Sequence, residues 1–417
     1  MWILILLFGL ATAVLGWTVF AYPLVLWLIG LFRREQSPPT PARWPFLSLV
    51  IPCYNEREQL EAKLDDTGAL DYPADRLEVV FVDGGSRDGS VEWLRQATAG
   101  DPRCRVVEAP RGGKINQLNH VLPDLKGEIV VSTDADARLE PDALRWIAAE
   151  FGVSPDISVV GAYCRPTDQA YHIDRYYWDA QNKARFLECR AANASIVVAP
   201  CYAYRRSLLT AFPDDVVADD LYVAFLCNAR NGRVVYSRHV RAVEVRNPRD
   251  LGEFLPHKFR KSNAFLRESL RFLYCLPEMR PMVRLVFLTR IGQQLLFPWA
   301  LAWWLGIAGS LLTLDPVPRY DVVAMSAGLL AALGLLVSRA FRSIPLPDDD
   351  RHRHSLNTMV RGWILTTLVL LVTGLSYPFY RQDSSYARLR RSEAAADATA
   401  PPPLEAAGPP SRSHAAR

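Results

Sequence analysis

The chain has 417 residues, of which 50% are hydrophobic and 22% are charged, and its formal net charge is +4. That charge is too small and too dispersed to indicate a nucleic-acid partner. The seven cysteines include no C-x-x-C pair, which predicts reduced, buried thiols in a cytosolic domain. The length allows one sizeable domain and a second region.

The amino-terminal segment, residues 1–32, contains no charged residue, and Arg33 and Arg34 follow it directly. A cleaved signal peptide would carry its positive charge before the apolar run, so we predict a retained transmembrane anchor. Pro23 is expected to kink the anchor or end it. The positive-inside rule then places the following residues in the cytosol, beginning with a proline-rich linker at residues 33–46.

Residues 47–250 are predicted to form a cytosolic α/β domain, because short apolar runs alternate with amphipathic ones. The predicted strands are Leu47–Ile51, Leu77–Val82, Val106–Val107, Glu128–Ser132 and Ile157–Tyr163. The predicted helices are Arg57–Asp66, Asp88–Ala99, Ile115–Leu122 and Pro141–Phe151. This alternation favours a mostly parallel sheet covered on both faces. In such sheets ligands bind beyond the carboxyl ends of the strands.

Residues 251–280 form a basic, amphipathic stretch, which predicts a helix at the membrane surface. Residues 281–381 then contain about three apolar segments of membrane-spanning length, namely Leu285–Leu314, Val322–Ala340 and Trp363–Tyr380. Three such spans after the anchor would place the arginines that follow residue 380 outside the cell. Either the charge rule fails here or one segment does not span. Residues 382–417, rich in Ala, Pro and Ser, are predicted to be disordered.

Polar motifs follow the predicted strands. The first strand leads into the sequence IPCYNE, and the second ends at Asp83 in the sequence VDGGSRDGS. An Asp at a strand end can accept hydrogen bonds from a base or a ribose, although an ordinary turn has the same composition. The sequence GGKINQLN places Lys114 at the start of a helix, a natural phosphate site.

Two acidic pairs come next. Asp134 and Asp136 directly follow a buried strand, where a divalent cation bound by carboxylate and phosphate oxygens would offset their burial. A solvated turn with a helix cap is the alternative. Asp219 and Asp220 open another predicted helix, where an Asp serves as an N-cap or as a general base for an acceptor hydroxyl.

The order IPCYNE, Asp83, GGKINQLN, TDADA and VADD resembles that of glycosyltransferase family 2, notably the membrane-embedded poly-N-acetylglucosamine, chitin and hyaluronan synthases. The resemblance covers roughly residues 47–272. It implies a GT-A fold and an inverting transfer from a nucleotide-sugar, with Mg²⁺ or Mn²⁺ stabilising the leaving diphosphate.

The resemblance also implies roles for individual residues. Asp134 and Asp136 match the metal-binding D-x-D pair, with Asp136 the more direct ligand, and Asp220 matches the catalytic base. Arg260 matches a further catalytic position. The residues expected at the nucleotide-sugar are Pro52, Tyr54, Glu56, Asp83, Lys114 and Asp134.

Processive family members end this domain with Q-x-x-R-W, whose Trp stacks on the acceptor sugar. Here the aligned residues are His257-Lys258-Phe259-Arg260-Lys261, so the aromatic platform is replaced by a lysine. Tyr202 or Tyr204 takes over the stacking, or each belongs to the core. The acceptor candidates are Tyr202, Asp219, His257 and Lys261.

These patterns predict an enzyme of the plasma membrane with its catalytic domain in the cytosol. It would transfer a hexose or N-acetylhexosamine from a nucleotide-sugar, expected to be a UDP-sugar, to a lipid or lipid-linked acceptor. Two alternatives stay open: a processive polysaccharide synthase with an altered acceptor gate, and a catalytically silent membrane scaffold. No nucleic-acid partner is expected.

Overall fold

The computed structural model describes residues 2–33, 37–313, 319–347 and 354–380. Arg34 and the predicted disordered tail at residues 382–417 lie outside these ranges. The sheet has eight strands in the order β3-β2-β1-β4-β7-β6-β8-β5. Their bounds are Leu47–Cys53 (β1), Leu77–Asp83 (β2), Cys104–Glu108 (β3), Ile129–Ser132 (β4), Ala137–Leu139 (β5), Ile157–Pro166 (β6), Tyr202–Arg205 (β7) and Arg233–Glu244 (β8).

The predicted α/β fold is confirmed. Strands β1, β2 and β4 are apolar and almost completely buried, as expected for central parallel strands covered on both faces. They run parallel, with Cys53 of β1 opposite Asp83 of β2. Their carboxyl ends therefore meet at one edge, and the polar motifs follow there. Strands β7 and β5 pair antiparallel with their neighbours.

Helices cover both faces of the sheet and extend beyond it at both ends of the chain. Those of the α/β domain are Arg57–Gly68 (α3), Ser90–Thr98 (α4), Lys114–Val121 (α5), Ala143–Val153 (α6), His172–Ala191 (α7) and Asp219–Ala229 (α8). The flanking helices are Trp2–Leu15 (α1), Tyr22–Leu31 (α2), Leu251–Arg271 (α9), Pro281–Leu295 (α10), Phe297–Thr313 (α11), Tyr320–Arg342 (α12) and Leu356–Ser376 (α13).

The predicted amino-terminal anchor is one continuous helical rod from Trp2 to Leu31. Pro23 neither ends it nor breaks it. The rod instead passes through a π-helical turn at Gly16–Ala21, which ends two residues before Pro23. A proline cannot donate to the fourth residue before it and its ring crowds that carbonyl; a wider turn at this point relieves both problems.

The carboxyl-terminal helices correspond to the predicted apolar segments, with one difference. The first segment is broken into α10 and α11, which meet at an angle of 54°. Within the described residues, three helices are long and apolar enough to cross a membrane, or four if the bent pair forms one span. These are candidates by length and composition.

Three of these helices form a bundle. The ring of Phe8 on α1 stacks on Trp304 on α11, with ring centroids 5.3 Å apart. The Trp304 indole donates to the hydroxyls of Thr12 (3.1 Å) and Ser326 (2.9 Å), so polar groups also join α1, α11 and α12. Hydrogen bonds of this kind and close packing hold helices together where lipid replaces water.

A buried carboxylate joins this bundle to the α/β domain. Glu188 on α7 is fully buried and accepts a hydrogen bond from the Tyr22 hydroxyl of α2 (2.7 Å). It also pairs with Arg290 of α10 and accepts from the backbone (3.0 Å) and hydroxyl (2.6 Å) of Ser195. The anchor, the domain and α10 are thus connected through one side chain.

The last helix, α13, lies along the α/β domain. His354, two residues before it, contacts Asp179 on α7 (2.6 Å), and a side chain at Gly362 would meet the Tyr176 ring at 2.6 Å. After its end, the ring of Tyr380 stacks on Phe259 of α9, with centroids 5.9 Å apart. Both ends of α13 therefore contact helices of the α/β domain or its basic extension.

Candidate active site

The site forms where β1 and β2 end. The buried carboxylate of Asp83 accepts hydrogen bonds from the backbone of Gly85 (2.7 Å) and Ser86 (2.8 Å) and from the Ser86 hydroxyl. These bonds shape the turn, in which Gly85 adopts a φ of 89° that favours glycine. Asp83 therefore holds the turn that borders the predicted nucleotide pocket. Its contact with a base stays a prediction.

Buried Gln117, on α5, links the two strand ends. Its amide nitrogen donates to the carbonyls of Cys53 (2.6 Å) and Val82 (2.7 Å). It sits within the GGKINQLN motif, three residues after Lys114. The motif therefore does more than present a lysine: it fixes α5, and with it Lys114, to the carboxyl edge of the sheet.

The IPCYNE segment forms the next part of the rim. Tyr54 is about half exposed, at 48%, and Pro52 is partly buried. Asn55 adopts a positive φ of 49° and accepts a hydrogen bond from the backbone of Arg87 (2.7 Å). The segment is thus bound to the Asp83 turn.

Glu56 has a partner that the sequence did not suggest. Arg246 donates to both of its carboxylate oxygens, one at 2.9 Å, and lies 3.7 Å from Asp136. The pairing of β5 with β8 brings Arg246 here, and the Val245 amide donates to the Asp136 carbonyl (2.9 Å). Because β8 was not predicted, Arg246 was missed.

Lys114 joins the two acidic motifs. Its ammonium group lies 2.7 Å from Asp134 and 3.0 Å from Asp219. These carboxylates raise the pKa of Lys114 against the opposing effect of burial, so the lysine stays charged. The structure therefore brings the D-x-D pair and the Asp219–Asp220 pair together around the Lys114 ammonium group. Asp134 and Asp219 are 85 residues apart in the sequence.

The D-x-D carboxylates suit a divalent cation. Burial raises the pKa of both Asp134 and Asp136, and each also lies near further negative charge. Among the described residues, no group of three or more His, Cys, Asp or Glu side chains is arranged to hold a metal ion. Two carboxylates with the remaining ligands supplied by substrate phosphates are a common arrangement for Mg²⁺, so these residues fit a metal that arrives with a nucleotide diphosphate.

Asp220 has the acidity expected of a base at neutral pH. Burial, followed by the neighbouring charge of Asp219, raises its pKa to about 7. A general base works best when its pKa lies near the operating pH. Asp220 is the second residue of α8, and the N-cap of this helix is Ala218.

Tyr202 and Asp219 occupy the base of the site. Both are buried, and the Tyr202 hydroxyl donates to Asp219 at 2.5 Å. The Tyr202 ring stacks on that of Tyr204, with centroids 6.1 Å apart. The structure thus assigns Tyr202 to the core, the second of the two roles considered for it, and leaves it no exposed face for an acceptor sugar.

The basic cluster of α9 also faces inward. Lys258 pairs with Asp174 on α7 (2.5 Å) in a buried ion pair, and its ammonium group lies 3.9 Å from the centre of the Tyr177 ring. Lys261 lies 3.5 Å from Glu244. Burial and the neighbouring cations lower the pKa of His257 well below its usual value. Arg260 is partly buried on the same helix. The roles of His257, Arg260 and Lys261 stay predictions.

A buried lysine supports the D-x-D turn from behind. Lys63 on α3 is fully buried and donates to the Ala137 carbonyl (2.9 Å) and the Thr133 hydroxyl (3.3 Å), and it pairs with Asp66 (3.2 Å). Sequence reasoning missed it because a lysine in an amphipathic helix is ordinarily exposed. Its contacts fix both residues that flank Asp134 and Asp136.

Comparison with known proteins finds one matching family and several relatives. A family model described as Glycosyl transferase family 2 matches residues 48–212. An N-acetylglucosaminyltransferase from Mesorhizobium japonicum is 29% identical over 253 residues, which cover 56% of this chain and 59% of the relative. The chain therefore aligns with about three fifths of that relative's length. A beta-monoglucosyldiacylglycerol synthase from Synechocystis is 33% identical over 126 residues, 28% of this chain and 26% of the relative.

The fold has a solved counterpart. A mannosyltransferase from Pyrobaculum calidifontis, determined in complex with GDP-Man and Mn²⁺, superposes with a TM-score of 0.65. The similarity covers 89% of this chain and 99% of that one at 24% sequence identity. It supports the GT-A fold of the α/β domain and extends into the flanking helices.

Proposed function

We propose that the chain, whose residues 48–212 match the family model of glycosyltransferase family 2, transfers a sugar from a nucleotide-sugar to a membrane lipid or lipid-linked acceptor. The observation that carries this proposal is the cluster around Lys114. It brings the candidate metal ligands Asp134 and Asp136 into one site with a carboxylate, Asp220, whose pKa is about 7.

Each residue then has a chemical task. The Asp83 turn and Tyr54 form the pocket for the nucleoside. Lys114 stays charged and faces the place where a diphosphate would meet the D-x-D pair. Asp220 takes the proton from the acceptor hydroxyl as the oxygen attacks the anomeric carbon and the nucleoside diphosphate leaves. A direct displacement of this kind inverts the anomeric centre.

Asp134 and Asp136 would hold a divalent cation, Mg²⁺ or Mn²⁺, between the enzyme and the diphosphate. When bound, such an ion neutralises the negative charge that develops on the leaving group. Arg246 lies beside Asp136 and Glu56, where it would keep the Asp136 carboxylate oriented toward the cleft.

The acceptor proposal depends on α9. Its residues at the Q-x-x-R-W positions pair with α7 and β8, and Lys261 stands where processive enzymes have an aromatic platform. The ring of the neighbouring Phe259 stacks on Tyr380, which follows α13. An acceptor would therefore approach beside α9 and α13. The apolar surfaces of these two helices favour a lipid or lipid-linked hydroxyl. The name of the Synechocystis relative points to the same class.

We also propose a membrane arrangement with three spans. The apolar neighbours of Leu15 include Phe297, and those of Phe8 include Leu311, so α11 runs antiparallel to α1. The Trp27 indole donates to Ser343 (3.0 Å), so α2 and α12 end on the same side. The rod at residues 2–31, α11 and α12 then cross alternately.

In this arrangement α13 lies at the cytosolic interface on α7 and α9 instead of crossing. Its exposed residues are mainly apolar, among them Leu356, Ile364 and Leu368, and would face lipid. The arginines after residue 380 then stay in the cytosol, in agreement with the positive-inside rule. A carboxyl-terminal epitope should be digested by protease in inside-out vesicles and protected in right-side-out ones; the opposite result would mean that α13 spans.

The activity is tested by a donor screen on membranes that contain the protein, with radiolabelled UDP- and GDP-sugars and Mg²⁺ or Mn²⁺. UDP-N-acetylglucosamine is the first donor to test because of the name of the Mesorhizobium relative. Label in the lipid extract from one donor would support the proposal. Label in high-mass polymer would favour the processive alternative, and membranes with Asp220→Asn provide the matched blank.

A further inference from the structure

A second cavity lies on the side of the sheet opposite the candidate active site. It has a volume of about 730 Å³ and is enclosed by the end of α2, the residues after α12, and the beginnings of β6 and β8. Strand β6 runs parallel to β8 and, through β7, in the same direction as β4. The first residues of β6 and β8 therefore lie at the amino edge of the sheet, away from Asp134.

The cavity is strongly basic. Five arginines from four separate parts of the chain contribute to its lining: Arg33, Arg190, Arg233, Arg238 and Arg280. Two acidic residues also line it, Glu150 and Asp156, and Glu150 accepts a hydrogen bond from Ser237 (2.6 Å). The formal charge of the lining is therefore positive. Arginine is the residue best suited to phosphate, because its guanidinium group can bind phosphate oxygens bidentately.

The helix ends beside the cavity place it at the level of lipid headgroups. Trp27 lines it and hydrogen-bonds to Ser343 after α12 (3.0 Å). Phe32 is 89% exposed and precedes Arg33. Aromatic residues next to arginines at the ends of apolar helices mark the boundary between hydrocarbon and headgroups. The Arg190 guanidinium also donates to the Arg33 carbonyl (3.3 Å), so the domain and the anchor meet at this boundary.

We propose that this cavity binds the phosphate headgroup of an anionic phospholipid from the cytosolic leaflet. Basic pockets beside transmembrane helices on the cytosolic side recognise such headgroups, and here the acyl chains would continue along α2 and α12. The inference rests on the membrane arrangement proposed above. It adds to the donor and acceptor sites a third ligand site, which couples the domain to the composition of the surrounding membrane.

The test uses the full-length protein purified in a neutral detergent. Dioctanoyl phosphatidylglycerol, dioctanoyl phosphatidylcholine and glycerol 1-phosphate are titrated separately, and bound ligand is counted by native mass spectrometry. The variant R233Q/R280Q removes two exposed arginines of the cavity. The matched control R76Q/R95Q removes two exposed arginines on the β2–β3 side of the sheet.

Phosphatidylglycerol should bind at least tenfold more tightly than phosphatidylcholine, and R233Q/R280Q should lose about tenfold in that affinity while R76Q/R95Q keeps it. Equal binding of the two lipids, or equal binding by both variants, would overturn the proposal. Glycerol 1-phosphate binding as tightly as the lipid would show a site for soluble phosphate and overturn the lipid assignment. The readout is independent of sugar transfer, so lipid binding without transferase activity would count only against the proposed function.

Discussion

The ammonium group of Lys114 lies 2.7 Å from Asp134 and 3.0 Å from Asp219. The lysine thereby neutralises carboxylates that would otherwise repel one another. A nucleoside diphosphate would bring negative charge to Lys114, and its metal ion would bring positive charge to the carboxylates.

Replacing Lys114 with methionine should have opposite effects on two ligands. Affinity for Mn²⁺ alone should increase several-fold at pH 8, because Asp134 loses a competing cation. Affinity for the nucleoside diphosphate should fall about tenfold or more, because a charge-assisted contact to phosphate is lost. Electron paramagnetic resonance measures the first and calorimetry the second. A parallel fall in both affinities would argue against competition at Asp134.

Asp220→Asn should lower kcat by about 10²- to 10⁴-fold, the usual contribution of a general base. Binding of the nucleoside diphosphate should be nearly unchanged, since the base acts in the transition state. Single-turnover rates and calorimetry provide the two numbers. Asp214→Asn, a change at an exposed acid nearby, is the matched control. Loss of nucleotide binding in the Asp220 variant would contradict the assignment.

The pH profile should carry the signature of Asp220. Its pKa is raised to about 7, and only the deprotonated form accepts a proton, so kcat/KM should fall about tenfold per pH unit below that value. Asp219 contributes to the raised pKa, so Asp219→Asn should shift the acidic limb to lower pH. An unchanged limb in this variant would assign the titration to another group.

Asp136→Ala should weaken nucleoside-diphosphate binding only when metal is present. Removal of metal by a chelator should abolish turnover in the unmodified enzyme, with recovery on adding Mg²⁺ or Mn²⁺. Calorimetry with and without Mn²⁺ separates the two contributions. Unchanged affinity at saturating metal would exclude Asp136 as a ligand.

Lys63→Met should destabilise the domain by about 3 kcal/mol, because it leaves Asp66 and the Ala137 carbonyl without their buried cation. Lys126→Met, at an exposed position, should have almost no effect. Denaturant unfolding of the detergent-solubilised protein compares the two. Equal stability of both variants would mean that Lys63 does not support the D-x-D turn.

The sequence predicted the half of the sheet that carries the motifs. Strands β1, β2 and β4 are mostly apolar, because both of their faces are buried. The carboxyl ends of these strands could therefore be predicted from the sequence, together with the positions of Asp83, Asp134 and Asp136. The general position of Lys114 followed from the glycine pair before it.

The other half was missed for a physical reason. Half of the buried residues of α7 are polar, among them Asp174, Asn182 and Glu188, which weakens the apolar periodicity of the helix. Strand β8 carries four basic residues, and its register with β6 shifts between Ala162 and Tyr163. Buried polar pairs such as Lys258–Asp174 depend on partners far apart in sequence, and one sequence alone does not reveal them.

Glu188 limits how the protein can be engineered. A truncated protein that contains only the α/β domain would lack the Tyr22 hydroxyl and the Arg290 guanidinium. It would keep the Glu188 carboxylate that these two groups contact. Solubility would then have to be restored by redesigning position 188 at the same time. The helix at residues 2–31 therefore cannot be replaced freely. A foreign helix in its place would require a tyrosine at the position of Tyr22.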